Sequence, residues 1–125
     1  MASPSFIDAV LDGGLDFVAA NFTRAIVCST EPTTYAQAAT TYKLVEYTIS
    51  SGNFTKANGD TSGRKITLGA LSGNSATAAG NGNFIAFTNG SNTLYGVIDG
   101  DGDAISNGQQ VNMSAVDVWE IADPS

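Results

Sequence analysis

The apolar positions change their period once along the chain. Phe6, Ile7, Val10, Leu11, Leu15, Phe17 and Val18 recur at three- and four-residue steps, the spacing of one helix face. Asp8, Asp12 and Asp16 fall four apart on the opposite face. Ser3 as a cap with Pro4 at the first helical position can start such a helix, and Ser5 with Asp8 offers an alternative capping box. The pattern predicts a helix over about residues 4–20. Gly13-Gly14 interrupts it at about 1 kcal/mol each relative to Ala. The helix therefore either stops there or kinks into a further turn from Leu15 onward. A lone amphipathic helix has to bury its stripe, and the domain's own sheet is the expected partner.

From Arg24 the texture is that of strands. Residues 24–29 form a short, nearly continuous apolar run, and Glu31-Pro32-Thr33-Thr34-Tyr35 follows as a turn or extended segment, because Pro fixes its own φ and restricts its neighbour. Ala36-Gln37-Ala38-Ala39 is of a length for one helical turn. Tyr42, Leu44, Val45, Tyr47 and Ile49 give an imperfect strand, and polar residues 54–62 read as a loop or hairpin turn around Asn58-Gly59-Asp60. Ile66, Leu68 and Ala70 then alternate with Lys65, Thr67 and Gly69. Residues 77–79 read as a strand paired back across Ser72-Gly73-Asn74. Gly80-Asn81-Gly82-Asn83 is a turn, Phe84-Ile85-Ala86-Phe87 a buried strand, and Asn89-Gly90-Ser91-Asn92 a hairpin turn into residues 93–98. A loop over 99–107 precedes strands at 109–113 and 116–121.

Turn signals at roughly ten-residue intervals between short apolar runs are the signature of an all-β sandwich. The expected fold is mainly β: a two-sheet antiparallel β-sandwich, jelly-roll or Ig-like, with one N-terminal helix. Its core is expected from Ile26, Ile66, Leu68, Phe84, Ala86, Val97, Val118 and Ile121. At 125 residues, with no linker or internal repeat, residues 1–125 are expected to form a single domain.

Composition narrows the function. Hydrophobic residues make up 42% of the chain, enough for a core, but charged ones only 14%, and Thr, Ser, Asn and Gly solvate the surface instead. The net charge is -7 and the only basic cluster is Arg64-Lys65, so nucleic acid and anionic membranes are not expected partners. The opening Met1-Ala2-Ser3-Pro4-Ser5 lacks the basic and apolar regions of a signal peptide, and no apolar run is long enough to span a bilayer, so synthesis in the cytoplasm is expected. Cys28 is the single cysteine and excludes an intramolecular disulfide; within Ala25-Ile26-Val27-Cys28 it reads as a small core hydrophobe.

Candidate chemistry is sparse. Asp99-Gly100-Asp101-Gly102-Asp103 has the alternating carboxylates of a Ca²⁺ loop, but the sixth and twelfth positions of that template hold Ala104 and Gln110, where Gly and Glu are needed. No metal or cofactor is expected. Asn21, Asn53, Asn89 and Asn112 begin N-glycosylation patterns that chance explains in so Asn- and Ser-rich a chain. With no His there is no Ser-His-Asp or Cys-His set. Glu46 and Glu120, the remaining carboxylate pair, read as outward-facing strand residues, so no enzyme is expected. Tyr35, Tyr42, Tyr47 and Tyr95 carry the large amphipathic surfaces favoured at interfaces, while Trp119 between Val118 and Glu120 is expected in the core.

The order of these features resembles a group of short virion proteins of tailed bacteriophages. The resemblance lies in the helix Phe6-Ile7-Asp8-Ala9-Val10-Leu11-Asp12-Gly13-Gly14-Leu15-Asp16 and the segment Cys28-Ser29-Thr30-Glu31-Pro32-Thr33-Thr34-Tyr35, with Ala38 and Tyr42-Lys43-Leu44 after it. It continues in Gly63-Arg64-Lys65-Ile66, Ile85-Ala86-Phe87 and the closing Asp123-Pro124. It covers nearly the whole chain, is most specific over residues 26–44, and departs from the pattern in the long, polar stretch 45–62. It implies a capsid decoration (cement) protein that binds the outer surface of the assembled major-capsid-protein shell, as a homo-oligomer with a trimer favoured. Phe6, Glu31, Pro32, Tyr35 and Tyr42 are the expected interface residues. The competing expectations are a carbohydrate- or receptor-binding module using Trp119 or the tyrosines as stacking platforms, and a small head-completion or tail subunit.

Overall fold

The computed structural model describes residues 8–122. Ser3, Pro4, Ser5, Phe6, Ile7 and the closing Asp123-Pro124 lie outside them. Within the described residues the chain is mainly β with one N-terminal helix. Helix α1 (Asp8–Asn21) is followed by β1 (Arg24–Cys28), β2 (Lys43–Thr48), β3 (Phe54–Asn58), β4 (Arg64–Leu68), β5 (Leu71–Ser75) and β6 (Gly80–Asn81). Then come β7 (Phe84–Thr88), β8 (Leu94–Asp99), β9 (Ala104–Ile105), β10 (Gln110–Met113) and β11 (Val116–Ile121). The strands pair antiparallel in sheets ordered β2-β1-β7-β8, β11-β4-β3, β10-β5 and β6-β9, and no sheet closes into a barrel.

Gly13-Gly14 neither ends nor splits α1. The helix is held by its burial: Leu11, Leu15 and Val18, with Phe22 just beyond, face the sheets. One flank is ion-paired, with Arg64 Nε 2.9 Å from Asp12 Oδ1 and the Lys56 ammonium donating to Asp16. Packing outweighs the helix-propensity cost of the two glycines.

Strands β1 and β7 are buried on both faces, which explains their continuous apolar runs. On the inner face, Ala25, Val27, Ile85 and Phe87 join Leu15, Val18, Ile66 and Leu68 in the main core, with Leu71, Val111 and Met113 of the β10-β5 pair. On the outer face, Ile26, Cys28 and Ala86 form a second cluster with Ala38, against which Phe84, Leu94, Val97 and Tyr42 pack. The expected core is thus two cores. Ile66, Leu68, Val118 and Ile121 belong to the first; Ile26, Phe84, Ala86 and Val97 to the second. The second is roofed by residues 30–42, where a π-helical turn (Gln37–Thr41) is tied by Thr33 N–H donating to Gln37 Oε1 at 2.7 Å and Tyr42 N–H donating to the Gln37 carbonyl at 2.8 Å.

Four local expectations need correction. Residues 54–58 are a strand, β3, that pairs with β4 from Phe54↔Leu68 to Asn58↔Arg64, so the hairpin turn lies where expected but its first arm is polar. Residues 71–75 are also a strand, running through the expected turn at Gly73 (φ +94°) to pair with β10, and residues 77–79 are not one. The turn at Gly80-Asn81 and the loop at 99–107 contribute β6 and β9, which pair with each other. Strand β4 ends at Leu68, where the Gly69 N–H turns to the Asn53 carbonyl, and Ala70 is exposed.

The Asp12–Arg64 contact makes stability pH-dependent in a definite direction. The Arg64 hydrogen bond holds the Asp12 carboxyl below its usual range, and bonds from Thr67 and Lys65 do the same for Asp117. A carboxyl with a lowered folded pKa contributes stability above its unfolded value, about 3.9, and loses it as pH falls through the folded value. Urea midpoints should therefore drop as pH falls below about 4, and Asp12→Asn should flatten that slope while lowering the neutral-pH midpoint slightly. A slope unchanged in Asp12→Asn would remove Asp12 from this role.

Candidate interaction surface

Two one-residue bulges shape the surface between α1, β8 and β11. The β7–β8 register passes from Phe87↔Gly96 to Thr88↔Leu94, leaving Tyr95 as the extra residue; the β11–β4 register passes from Asp117↔Thr67 to Trp119↔Ile66, leaving Val118 as the extra one. A bulge shifts the in–out alternation by one position. That is why Val116, Val118 and Ile121 all pack against the core although strict alternation would separate them. It also brings Trp119 to the same side as Ile66 and under the edge of α1, where the rings of Trp119 would stand 3.1 Å from a Cβ at Gly14. Gly14 is the residue that lets the indole approach the helix.

Between these elements lies a groove of about 340 Å³, lined by Phe17, Phe22, Phe87, Tyr95, Ile98 and Trp119 among others, with no charged side chain among the described residues of its lining. Gly96 opens it: opposite Phe87 on the inner face, a Cβ there would meet nothing within 4 Å. Tyr95 stacks on Phe22 at 5.1 Å, Phe22 stacks on Phe87 at 5.2 Å, and Phe17 meets Tyr95 edge-on at 5.6 Å. The aromatic wall is preorganised by these contacts. Phe17 is nevertheless 52% exposed and Trp119 47%, and with Val10 at 58% they are the exposed large hydrophobics of the described residues. Trp119 is therefore at the surface and not in the core as expected. Both strands bordering the groove, β8 and β11, are outermost in their sheets, and their bulges break the regular ladder that an added strand would need. The groove is suited to apolar side chains, not to strand addition.

Of the residues expected at an interface, the four that are described lie elsewhere. Phe6 is outside the described residues. Glu31, Pro32, Tyr35 and Tyr42 share the roof over the outer face: Glu31 is exposed, Pro32 buried, Tyr35 half-buried, and Tyr42 packs onto the second core. Of the other tyrosines, Tyr47 is buried and donates its hydroxyl to the Val111 carbonyl. The groove could have been found from the sequence by Gly96, since an isolated Gly in a strand marks a bulge or a close approach.

The remaining candidate chemistry resolves into local structure. Glu46 receives Arg24 at 3.2 Å and Lys43 at 3.6 Å on β2, while Glu120 on β11 accepts the Asp60 N–H at 2.6 Å, so the two carboxylates stand on different sheets with different partners. The Asp99-to-Asp103 loop is fastened by the Gly102 N–H to the Gly82 carbonyl and the Gly82 N–H to that of Asp103. Among the described residues, no three metal-binding side chains converge.

Burial pushes the Cys28 thiol up to about 12, and its Sγ lies against the carbonyls of Ile26 and Ala38. A thiol so held is unreactive at neutral pH. A chromogenic disulfide reagent should leave native protein unlabelled for hours and label one thiol per chain at once in denaturant; rapid native labelling would show that the roof over Cys28 opens. Compared with protein-family models, curated proteins and solved structures, the chain matches none of them. Its own geometry has to carry the functional reading.

Proposed function

We propose that this chain is a non-catalytic structural protein of a tailed-phage particle, a decoration protein that lies on the outer surface of the assembled major-capsid-protein shell and stabilises it. The observation that carries the reading is the uncharged aromatic groove, with Phe17 and Trp119 each about half open to solvent at its rim. Large aromatic side chains clustered on one concave surface are the anchors of protein interfaces. The sequence resemblance to virion proteins supplies the particle, and the acidic balance suits an outer surface by limiting clumping. The inner core shared by the four-stranded sheet, β4 and β11 supports reading the layers as a two-sheet sandwich of jelly-roll or Ig-like type. Tyr35 and Glu31 on the roof provide a second contact on the opposite face of the four-stranded sheet.

A decoration protein binds sites composed of adjacent shell subunits, so it should co-sediment with intact shells and ignore free capsid subunits. Gly96→Val fills the groove at a position with room for the side chain, and Trp119→Ser removes an anchor. Each should lower shell occupancy by roughly tenfold with the melting temperature nearly kept. One alternative draws on the same groove: Tyr95 and Trp119 line it, and aromatic side chains are stacking platforms for sugars. Binding to host cells or polysaccharide, with intact shells ignored, would replace the decoration reading with an adhesin.

A further inference from the structure

Helix α1 carries a second apolar stripe, which its own fold touches only where Phe17 meets Tyr95 edge-on. Val10, Gly13, Phe17 and Ala20 follow one another at steps of three, four and three, and all four are exposed. This is the spacing of a seam between two helices. The buried face of α1 runs instead through Leu11, Leu15 and Val18. Gly13 is the informative member. Gly14 is explained by the indole packed against it, but a Cβ at Gly13 would meet none of the described residues within 4 Å. A glycine in mid-helix lowers helix stability relative to Ala, and nothing among the described residues calls for this one. A close approach from outside does.

The geometry points to that approach coming from a second copy of this chain, with the two α1 helices crossing antiparallel about a two-fold axis that meets the exposed stripe midway between Gly13 and Phe17. The pattern is self-complementary about that point. Pairing residues symmetrically around position 15 sets Phe17 over Gly13 of the other copy and Val10 over its Ala20, large against small at every level. An isologous contact requires this symmetry, and an unrelated partner does not. Charge agrees: in a chain of net charge -7 the stripe carries no charged residue, and the neighbouring Asp12 and Asp16 are already paired with Arg64 and Lys56 of their own chain. Size sets the strength. The stripe is about 15 Å long, which falls short of the roughly 800 Å² per partner of a stable independent dimer. Association is therefore weak in solution and promoted where copies are crowded, as on a shell. The proposed pair is two-fold, whereas the family resemblance implies a trimer. It draws on α1 alone and does not require the decoration reading.

Sedimentation velocity of the full chain over micromolar to roughly 1 mM concentrations tests this. A reversible monomer–dimer equilibrium is expected. Phe17→Ser and Gly13→Leu should each move its midpoint at least about tenfold higher, while Gly13→Ala and Gly13→Leu leave the monomer's melting temperature equal or raised. A chain that stays monomeric throughout, a trimer, or a dimer untouched by both Phe17→Ser and Gly13→Leu overturns the proposal. So does a lowered melting temperature in Gly13→Ala, since Gly13 would then serve its own fold. A chain that dimerises in this way but ignores intact shells leaves the inference standing and removes the decoration reading alone.

Discussion

Phe87→Ala is expected to lower the free energy of unfolding by about 3–5 kcal/mol, the range for truncating a buried aromatic. Phe87 is 1% exposed on the inner face of β7, stacked on Phe22 at 5.2 Å, and it floors the groove beneath Gly96. The neighbours cannot close the gap, because β7 is clamped between β1 and β8 and the second core fixes its other face. For a domain whose total stability is of the order of 5–15 kcal/mol, such a loss is a large part of the whole. Urea titration followed by Trp119 fluorescence should show the midpoint falling with an unchanged slope. A loss under about 1 kcal/mol would mean that the aromatic wall does not hold the inner core together.

Gly63→Ala should be nearly as damaging, for a backbone reason. Gly63 has φ +75°, and a Cβ there would lie 1.9 Å from the Ile121 carbonyl oxygen. A left-handed residue other than Gly costs about 1–2 kcal/mol by conformation alone. Here the last residue of β11 must also move, disturbing the Ile121↔Arg64 pairing that ends the sheet. The expected loss is about 3 kcal/mol or more. Gly73→Ala is the control: its φ is +94°, but the added carbon would meet open space, so only the conformational penalty applies. Equal losses in the two variants would show that the approach of β11 to the turn is not what matters.

The elements legible in the sequence are those whose burial is uniform. Strands β1 and β7 are continuous apolar runs because both their faces are covered, and β11 fell at 116–121 as expected. The helix was legible from its period despite two glycines, because Leu11, Leu15 and Val18 are buried by tertiary packing that outweighs propensity. What escaped were strands held by pairing alone. Only Leu71 of β5 is buried and no residue of β3 is, so neither has an alternation to read, and β5 finds its partner β10 far along the chain. Ser72-Gly73-Asn74 has turn chemistry and is overruled by that ladder.

The candidate surface was less legible for the same reason. Val10 and Phe17 stand in the apolar pattern beside Leu11 and Val18, and periodicity cannot say which of two adjoining stripes will be covered. Trp119 looked internal as a large aromatic in the final strand, although alternation from Val118 would turn it outward. The bulge at Val118, invisible in composition, shifts the phase and turns the indole to the side of Ile66, where it stops at the rim beside α1. Tyr35 and Tyr42 sit on the roof of a second core whose existence only the pairing of β1 with both β2 and β7 discloses.

The same pairing governs how the chain comes off the ribosome. Strand β1 emerges early but cannot be closed on one side until β7 arrives, nor β4 until β11, nor β5 until β10. The contact order is therefore high, and no N-terminal portion holds a finished sheet. Until β7 is made, Ala25-Ile26-Val27-Cys28 lacks its central neighbour, a state that favours association with other unfinished chains. The sheets are completed together, in a nearly all-or-none step that waits for β7, β10 and β11.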